Sequence, residues 1–218
     1  MNIHGKIPIS NSNGPGNRAI IHLQGCTLSC TGCWNPETHK HGPPNTSILD
    51  LAKWVINNKE IEGISLSGGE PFQQAPGLEL LIAIIKCVRP ELTIGIYTGY
   101  TLKELQAGEY SWWSFAYERL VPGDVKLVQD ILTKVDFLVC GRYNKDQTCT
   151  DKPLCGSTNQ RIELLSKVYK LSDFGVNTVD ISIDEEANLI NITGFPDGEK
   201  LKDLDKDEPE DGGDLVGV

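Results

Sequence analysis

The alternation of strand-like and helix-like segments constrains the fold of this sequence more than any other feature. Short runs of apolar or alternating residues, typical of strands, precede longer runs whose apolar residues recur at helical spacing. The predicted strands lie at 18–24, 63–67, 92–97, 135–140 and 178–183, and the predicted helices at 47–59, 76–88, 101–106 and 125–133. This alternation predicts a parallel α/β sheet with crossover helices.

The number of strand–helix units limits the architecture further. About five or six units fit into the 218 residues, which is too few for a closed eight-fold barrel. We therefore expect an α/β fold, a partial (β/α) barrel of about five or six parallel strands with outer helices. Ligands of such sheets bind beyond the carboxyl ends of the strands, where the segments that follow the first three strands should meet.

Some regions lie outside this pattern. Residues 1–12 are predicted to be a leader, 13–198 one domain, and 199–218 a mobile tail. The tail carries eight acidic and three basic residues, so it holds half of the formal net charge of −10, and it has few large apolar groups. The aromatic stretch 108–124 is interpreted as a helical insertion that covers the sheet.

Charge and hydropathy exclude some functions. The body of the chain is mildly acidic once the tail is set aside, which argues against nucleic acid as a partner because phosphate binding favours a basic surface. The N-terminus lacks the apolar run of a signal peptide, and no stretch reaches the roughly 18 apolar residues of a transmembrane helix. We therefore expect a cytoplasmic protein without a membrane partner.

Three of the seven cysteines, Cys26, Cys30 and Cys33, crowd into a C-x3-C-x2-C pattern. In a reducing compartment such crowding favours metal binding over disulfides. Three thiolates can each bind one iron of a cubane cluster, whose fourth iron stays open for a chelating amino acid such as the methionine end of S-adenosylmethionine (SAM). Two alternatives remain: a zinc site completed by His39 or His22, and cysteines that are merely buried apolar residues.

The cysteine triplet followed by SGGEP at 67–71 resembles the radical SAM superfamily. Four further stretches are similar to the glycyl-radical enzyme activases, the group that includes the activating proteins of anaerobic ribonucleoside-triphosphate reductase. These stretches are NGPGNR at 13–18, CWNPET at 33–38, YTGYTL at 97–102 and GSTNQR at 156–161, with weaker support from 184–196. The resemblance therefore covers nearly the whole predicted domain.

This resemblance implies an oxidoreductase with one [4Fe–4S] cluster that reductively cleaves SAM to a 5′-deoxyadenosyl radical. The radical would take a hydrogen atom from a glycine of a partner, a glycyl-radical enzyme such as anaerobic ribonucleotide reductase, and a flavodoxin-like protein would donate the electron. Two other functions stay open: a radical SAM enzyme that acts on a small molecule or peptide, and a non-catalytic zinc-binding interaction module. The stretch 108–124 favours the first of these, because it is longer than expected for the reductase activases.

The resemblance also implies the residues of the site. Cys26, Cys30 and Cys33 would hold the cluster, and Glu70 or nearby carbonyl groups would accept hydrogen bonds from the SAM ammonium. The predicted SAM-binding residues are Gly32, Cys33, Trp34, Ser67, Gly68, Gly69, Glu70, Tyr97 and Thr98. The glycines would let the backbone approach a ligand closely. Each part of the predicted site has a structural alternative. The segment 67–71 would be a plain β-turn, Tyr97 and Thr98 would be a structural strand end, and Trp34 would be a core residue.

Other sulfur-bearing and polar residues receive separate interpretations. Cys87 is expected in the core, and Cys140 stands where the resemblance suggests an aspartate in relatives. Cys149 and Cys155 share a loop and would bind a metal, form a redox pair or have no role. Asp136 either serves the site or caps a strand, and the four histidines are expected to have surface or structural roles.

Overall fold

The computed structural model describes residues 1–184 and 189–195. In this part of the chain the strands are β1 (Ile3–Ser10), β2 (Arg18–Leu23), β3 (Gly63–Gly68), β4 (Thr93–Thr98), β5 (Ser111–Ser114), β6 (Arg119–Pro122), β7 (Phe137–Cys140), β8 (Arg161–Leu164), β9 (Val179–Asp184) and β10 (Leu189–Gly194). The α-helices there are α1 (Ile48–Asn57), α2 (Ala75–Val88), α3 (Leu102–Ala107) and α4 (Val125–Leu132). The predicted acidic tail, 199–218, lies outside the described residues.

A six-stranded sheet in the order β1-β2-β3-β4-β7-β8 forms the centre of the fold. Its four inner strands run parallel, whereas β1 and β8 run antiparallel to their neighbours. The sequence predicts five or six parallel strands, and the difference arises because a parallel pair needs a long crossover connection. Only a short turn joins β1 to β2, and the described segment between β7 and β8 contains no α-helix. Closure into a partial barrel stays a prediction.

The helices cover one face of this sheet and form the main core with it. Alternate residues of the inner strands belong to this core, and Ile21, Leu66 and Ile96 among them are fully buried. Helices α1 and α2 supply many of the apolar side chains that oppose them. Complete burial of one Leu or Ile side chain stabilises a fold by about 1.5–3 kcal/mol, so this layer fixes where the strand ends lie.

The opposite face of the sheet carries a buried polar group, the Arg18 guanidinium, beside a second and smaller apolar cluster that contains Phe137 and Val139. The Arg18 guanidinium is fully buried and donates hydrogen bonds to Ser65 Oγ (2.8 Å) and Thr93 Oγ1 (2.9 Å) on the two strands beyond its own. It also donates to the carbonyl oxygens of Ile64 and Thr93. These contacts tie β2, β3 and β4 together, and the Phe137 ring lies beneath the same guanidinium, 5.1 Å away.

Two predicted regions have a different structure. Residues 3–10, part of the predicted leader 1–12, form the edge strand β1. The aromatic stretch 108–124, predicted as a helical insertion, contains the antiparallel hairpin β5–β6, so the helix prediction is wrong. Aromatic side chains favour strands, and Glu118 in the connecting turn adopts a left-handed conformation (φ 51°). In both regions, backbone pairing with a neighbouring strand decides the structure.

Most of the predicted inner elements are confirmed, with boundaries that differ by a few residues. The predicted strands at 18–24, 63–67, 92–97 and 135–140 correspond to β2, β3, β4 and β7, and the predicted helices to α1–α4. The predicted strand at 178–183 corresponds to β9, which pairs with β10 in a separate two-stranded sheet. Among the described residues, no helix has both the length and the apolar character needed to cross a membrane.

We expect Gly95→Ala to destabilise the protein by about 1–3 kcal/mol, because a β-carbon at this position would collide with the Phe137 ring. Gly175→Ala is the matched control, since within the described residues no atom lies within 4 Å of the position that its β-carbon would take. Urea unfolding followed by circular dichroism measures both changes. Equal stabilities of the two variants would contradict the packing described here.

Candidate functional site

A cavity at the carboxyl edge of the sheet brings nearly all of the predicted site residues together. The three predicted cluster ligands, Cys26, Cys30 and Cys33, line it. The predicted SAM-binding residues that also line it are Trp34, Ser67, Gly68, Gly69, Glu70, Tyr97 and Thr98. Gly32 is exposed and is not among the lining residues. The loops after β2, β3 and β4 therefore meet, as the direction of the parallel strands requires.

Backbone hydrogen bonds shape the loop that carries the cysteines. The Cys26 amide donates to the His39 carbonyl (3.0 Å), which fastens the start of the loop to its end. Within the loop, the Cys33 amide donates to the Cys30 carbonyl (3.1 Å). The three thiols are thus held on one short segment by local contacts of its own backbone.

The buried side chain of Gln73 anchors this loop to the segment that follows β3. Its Oε1 accepts a hydrogen bond from the Thr27 amide (3.0 Å), and its Nε2 donates to Thr27 Oγ1 (2.7 Å). Its Oε1 also lies 3.2 Å from His41 Nε2. The His41 ring stacks on Trp113 of the β5–β6 hairpin, with 4.6 Å between ring centroids. The aromatic hairpin therefore contacts the region of the cysteine loop, a link that the sequence pattern did not indicate.

Burial changes the acidity of the thiols. It raises the pKa of Cys26 to about 11, with a smaller contribution from the Glu70 carboxylate, and it raises the pKa of Cys33 as well. Both thiols therefore keep their protons at neutral pH until a cation displaces those protons. A metal cluster supplies that positive charge, and its binding releases the thiol protons. The chemistry of three thiols that line one cavity fits an iron–sulfur cluster.

The spacing of these donors matters for the kind of metal site. Within residues 1–184 and 189–195, no three His, Cys, Asp or Glu side chains form a ready-made site for a metal ion. The three thiols thus face one cavity without converging on one point. A cubane cluster binds each thiolate at a different iron, so it does not require three sulfur atoms around a single ion.

Gly68 and Gly69 are required by a close approach between two loops. Gly68 has a φ of +89°, and a β-carbon there would lie 2.6 Å from the Leu23 carbonyl oxygen. A β-carbon on Gly69 would lie 2.5 Å from the Gly25 carbonyl oxygen. The amides of Gly69 and Glu70 donate to these same two carbonyls, at 2.7 and 2.9 Å. The structure shows a close approach of the two glycines to Leu23 and Gly25 at the end of β2, and the predicted close approach to a ligand stays a prediction.

Glu70 is a buried brace between the loops after β3 and β4. Its Oε1 accepts hydrogen bonds from the Phe72 amide (3.0 Å) and the Thr98 hydroxyl (2.8 Å), and its Oε2 accepts one from the Gly99 amide (2.8 Å). Burial raises its pKa to about 7, and these hydrogen bonds and the Arg142 charge oppose the increase. Three of roughly four acceptor positions of the carboxylate are thus used inside the protein, which leaves little capacity for a ligand ammonium.

Aromatic side chains form one side of the cavity. Trp34 lies beside Tyr143 and Phe195, with 5.9 Å between ring centroids in each pair, and Phe195 lies 5.9 Å from Tyr97. All four side chains line the cavity. Trp34 is 40% exposed, so it lies at the mouth of the cavity and not in the core. Phe195 follows β10 and belongs to the stretch 184–196, which supported the resemblance weakly but was not assigned to the site.

Two further lining residues, His22 and Gln160, are not among the SAM-binding residues predicted from the sequence. His22, considered as a zinc ligand or as a surface or structural residue, is buried on β2, and neither ring nitrogen has a hydrogen-bond partner among the described residues. Burial lowers its pKa to about 4, and the charge of His4 contributes less. Gln160, in the GSTNQR stretch, accepts a hydrogen bond from the Gly156 amide (2.9 Å) and lines the cavity. The alternation of side chains between the two faces of β2 was the sequence signal that could have identified His22 as a lining residue.

Asp136 supports the sheet and does not line the cavity. It lies just before β7, at the edge of the sheet opposite to the cysteine loop. Its carboxylate accepts hydrogen bonds from the Ile94 amide (2.8 Å) and the Ser166 hydroxyl (2.7 Å). Of the two interpretations made from the sequence, the structural one agrees with this position.

The other four cysteines also lie outside the lining of the cavity. Cys87 is exposed on α2, so its predicted core position is wrong, because the apolar helix turns this position away from the sheet. Cys140 is buried in the core beneath the helices. Cys149 and Cys155 are both free thiols, and Cys149 Sγ lies 3.9 Å from the Cys155 carbonyl oxygen.

Comparison with known proteins agrees with the chemistry of this site. A family model described as a 4Fe-4S single cluster domain matches residues 12–163. The anaerobic ribonucleoside-triphosphate reductase-activating protein of Escherichia coli K12 is 37% identical over 172 residues, which cover 76% of this chain and 99% of that protein. The chain belongs to the family of these activating proteins. The proteins of the same name from Vibrio cholerae and enterobacteria phage T4 are 31% and 29% identical, and the matches cover 74% of this chain and 97% and 93% of those proteins.

Family membership confirms the resemblance drawn from the motifs. The segment 12–163, matched by the iron–sulfur domain, contains the cysteine loop and the loops after β3 and β4. In this family the domain is described by one 4Fe-4S cluster, which favours a cluster over the zinc site that the sequence left open. The family match thus indicates an iron–sulfur cluster as the class of cofactor. The structure shows that Cys26, Cys30 and Cys33 line one cavity.

We expect Gln73→Leu to destabilise the protein by about 1–3 kcal/mol, since the buried Thr27 contacts are lost. We also expect a lower iron content after anaerobic reconstitution, because the cysteine loop loses its anchor. Gln129→Leu, at an exposed position of α4, is the matched control. Urea unfolding and an iron assay measure both effects. Normal iron binding by the Gln73 variant would show that the anchor is dispensable.

We expect the stability difference between the wild type and His22→Phe to depend on pH. Burial lowers the pKa of His22 to about 4, against about 6.5 in an unfolded chain. The unfolded state therefore takes up the proton first as the pH falls. The wild type should lose stability between about pH 6.5 and pH 4, by about 2 kcal/mol at pH 5, and the variant lacks this loss. Urea unfolding at pH 5 and pH 7.5 measures it, and a pH-independent difference would refute the shift.

Proposed function

We propose that this chain is a radical SAM activase that generates a glycyl radical on a partner enzyme. It would hold one [4Fe–4S] cluster and SAM in the cavity at the carboxyl edge of the sheet. The observation that carries the proposal is that the three thiols and the loops after β3 and β4 line the same cavity. Relatives that are named reductase-activating proteins and the matching 4Fe-4S domain give independent support.

The chemistry belongs to the bound groups, and the protein supplies their positions. A bound, reduced cluster would supply one electron for the cleavage of the C5′–S bond of SAM, with methionine and a 5′-deoxyadenosyl radical as products, and this radical would take a hydrogen atom from a glycine of the partner. No side chain of this protein has to act as a general acid or base. Cys26, Cys30 and Cys33 would bind the cluster and leave one iron for the amino and carboxylate groups of SAM.

The loops after β3 and β4 would orient SAM beside the cluster. Glu70 holds these loops in a fixed relation through Thr98 and Gly99. Because its carboxylate already accepts three hydrogen bonds, the carbonyl groups of 67–69 are the better acceptors for the SAM ammonium. The aromatic side chains at the mouth, including Trp34 and Tyr143, would exclude water from the bound cofactor.

The partner would be a glycyl-radical enzyme, and the names of the relatives suggest anaerobic ribonucleotide reductase. A flavodoxin-like protein would donate the electron, and the cytoplasm would be the common location of all three. A radical SAM enzyme that acts on a small molecule or peptide would use the same cofactor site. The names of the relatives favour the protein partner over that alternative.

We expect Cys30→Ala to abolish the formation of 5′-deoxyadenosine from SAM, because the cluster loses one of its three protein ligands. The measurement uses anaerobically reconstituted protein, dithionite as the reductant and chromatographic detection of the product. Wild-type protein should be brown, with broad absorption near about 400 nm. Cys87→Ala is the matched control, since this thiol is exposed on α2 and does not line the cavity, and it should retain full turnover.

Three outcomes would contradict the proposal at different levels. Unchanged turnover in Cys30→Ala would reject the cluster assignment. A colourless protein with stoichiometric zinc would favour the interaction module over an enzyme. Cleavage of SAM without a glycyl radical on the reductase, as measured by electron paramagnetic resonance, would reject that partner and favour a small molecule or peptide.

A further inference from the structure

Three polar side chains form a row across the floor of the cavity. His22 is paired with Ser67 in the register of β2 and β3. In the register of β3 and β4, Leu66 is paired with Ile96, so Ser67 and Tyr97 occupy the next position. The polar row His22–Ser67–Tyr97 therefore crosses three adjacent parallel strands at their carboxyl ends, and all three residues line the cavity.

Two members of the polar row carry buried polar atoms that the protein does not satisfy. Both ring nitrogens of His22 and the hydroxyl of Tyr97 are buried, and none has a hydrogen-bond partner in the part of the chain that the structure describes. Buried polar groups in folded proteins are nearly always hydrogen-bonded, so each exception needs an explanation. Because both residues line the same cavity, a molecule bound there is the explanation that their position favours.

The protonation states of the row define the chemistry that it can bind. Burial lowers the pKa of His22 to about 4 and raises the pKa of Tyr97, so both side chains are uncharged at neutral pH. A neutral imidazole offers one N–H donor and one acceptor nitrogen, and a phenol hydroxyl both donates and accepts. A hydroxyl or an amide group can satisfy both kinds of partner, whereas a carboxylate or phosphate oxygen only accepts.

We propose that the polar row is a subsite for a neutral hydroxyl or amide group of the molecule that occupies the cavity. The identity of that molecule rests on the proposed function. The hydroxyl would belong to the nucleoside of SAM, or the amide would belong to the backbone of the partner segment that carries the glycine. Both sources offer the same hydrogen-bonding chemistry, and the subsite would position that group relative to the cysteine loop.

His22→Phe and Tyr97→Phe test the subsite in the cluster-loaded protein. Each variant removes the unpaired polar atoms and keeps an aromatic ring. We expect both variants to be at least as stable as the wild type in urea unfolding at pH 7.5, because no described protein group loses a hydrogen bond. We expect the affinity for the bound molecule to fall about 3- to 10-fold in each variant, the loss of roughly one hydrogen bond.

Tyr169→Phe is the matched control. The Tyr169 hydroxyl lies 2.7 Å from Thr93 Oγ1 and accepts a hydrogen bond from Arg18 (3.3 Å), and this residue does not line the cavity. This variant should therefore lose stability and keep the wild-type affinity. If His22 and Tyr97 have only structural roles, their variants will also lose stability and keep the wild-type affinity. That result would overturn the inference.

Two binding measurements distinguish the sources. Calorimetry with SAM alone that shows weaker binding in the variants would assign the row to the nucleoside. Unchanged SAM binding with a higher KM for the partner glycyl-radical enzyme would assign it to the partner backbone. If both variants show wild-type SAM binding and a wild-type KM for the partner, the inference is wrong and the proposed function is unaffected. If the wild-type protein itself does not bind SAM, the proposed function is wrong together with the inference.

Discussion

One buried carboxylate fixes the geometry on which the cavity depends. Glu70 follows β3, yet it accepts hydrogen bonds from the Thr98 hydroxyl, 28 residues further along the chain, and from the Gly99 amide. The cysteine loop is attached to the same unit, because the Glu70 amide donates to the Gly25 carbonyl and Gln73 binds Thr27. Parallel strands bring these loops to one edge of the sheet, and the hydrogen bonds turn this nearness into a fixed arrangement.

The sequence predicts the inner sheet and the positions of the site loops because both leave local signals. The strands β2, β3, β4 and β7 are apolar and end near turn residues, and a buried parallel strand needs little else to be recognised. The cysteines of a metal site and the glycines of a tight turn are chemically distinctive residues, and they lie close together in the sequence, so they can be recognised locally. The direction of parallel strands then places their loops together without knowledge of any side-chain contact.

What the sequence does not predict depends on contacts between distant segments. Arg18 can be fully buried because side-chain and backbone oxygens on neighbouring strands, among them those of Ser65 and Thr93, accept its hydrogen bonds. Cys87 lies in an apolar helix, and the orientation of that helix on the sheet decides that the thiol is exposed. The hairpin β5–β6 reaches the cysteine loop region through the stack of Trp113 on His41, which no local pattern encodes. Tertiary packing therefore determines the burial of Arg18, the exposure of Cys87 and the position of the β5–β6 hairpin.

The wide separation of the cavity-forming residues along the chain has a consequence for biosynthesis. The cysteine loop leaves the ribosome long before Thr98, which completes the brace, and before Phe195, which completes the aromatic side. Domains generally fold as units, so the thiols on an emerging chain have no enclosed space around them. Iron and sulfide would then meet an enclosed cavity only after Phe195 has been synthesised and the domain has folded.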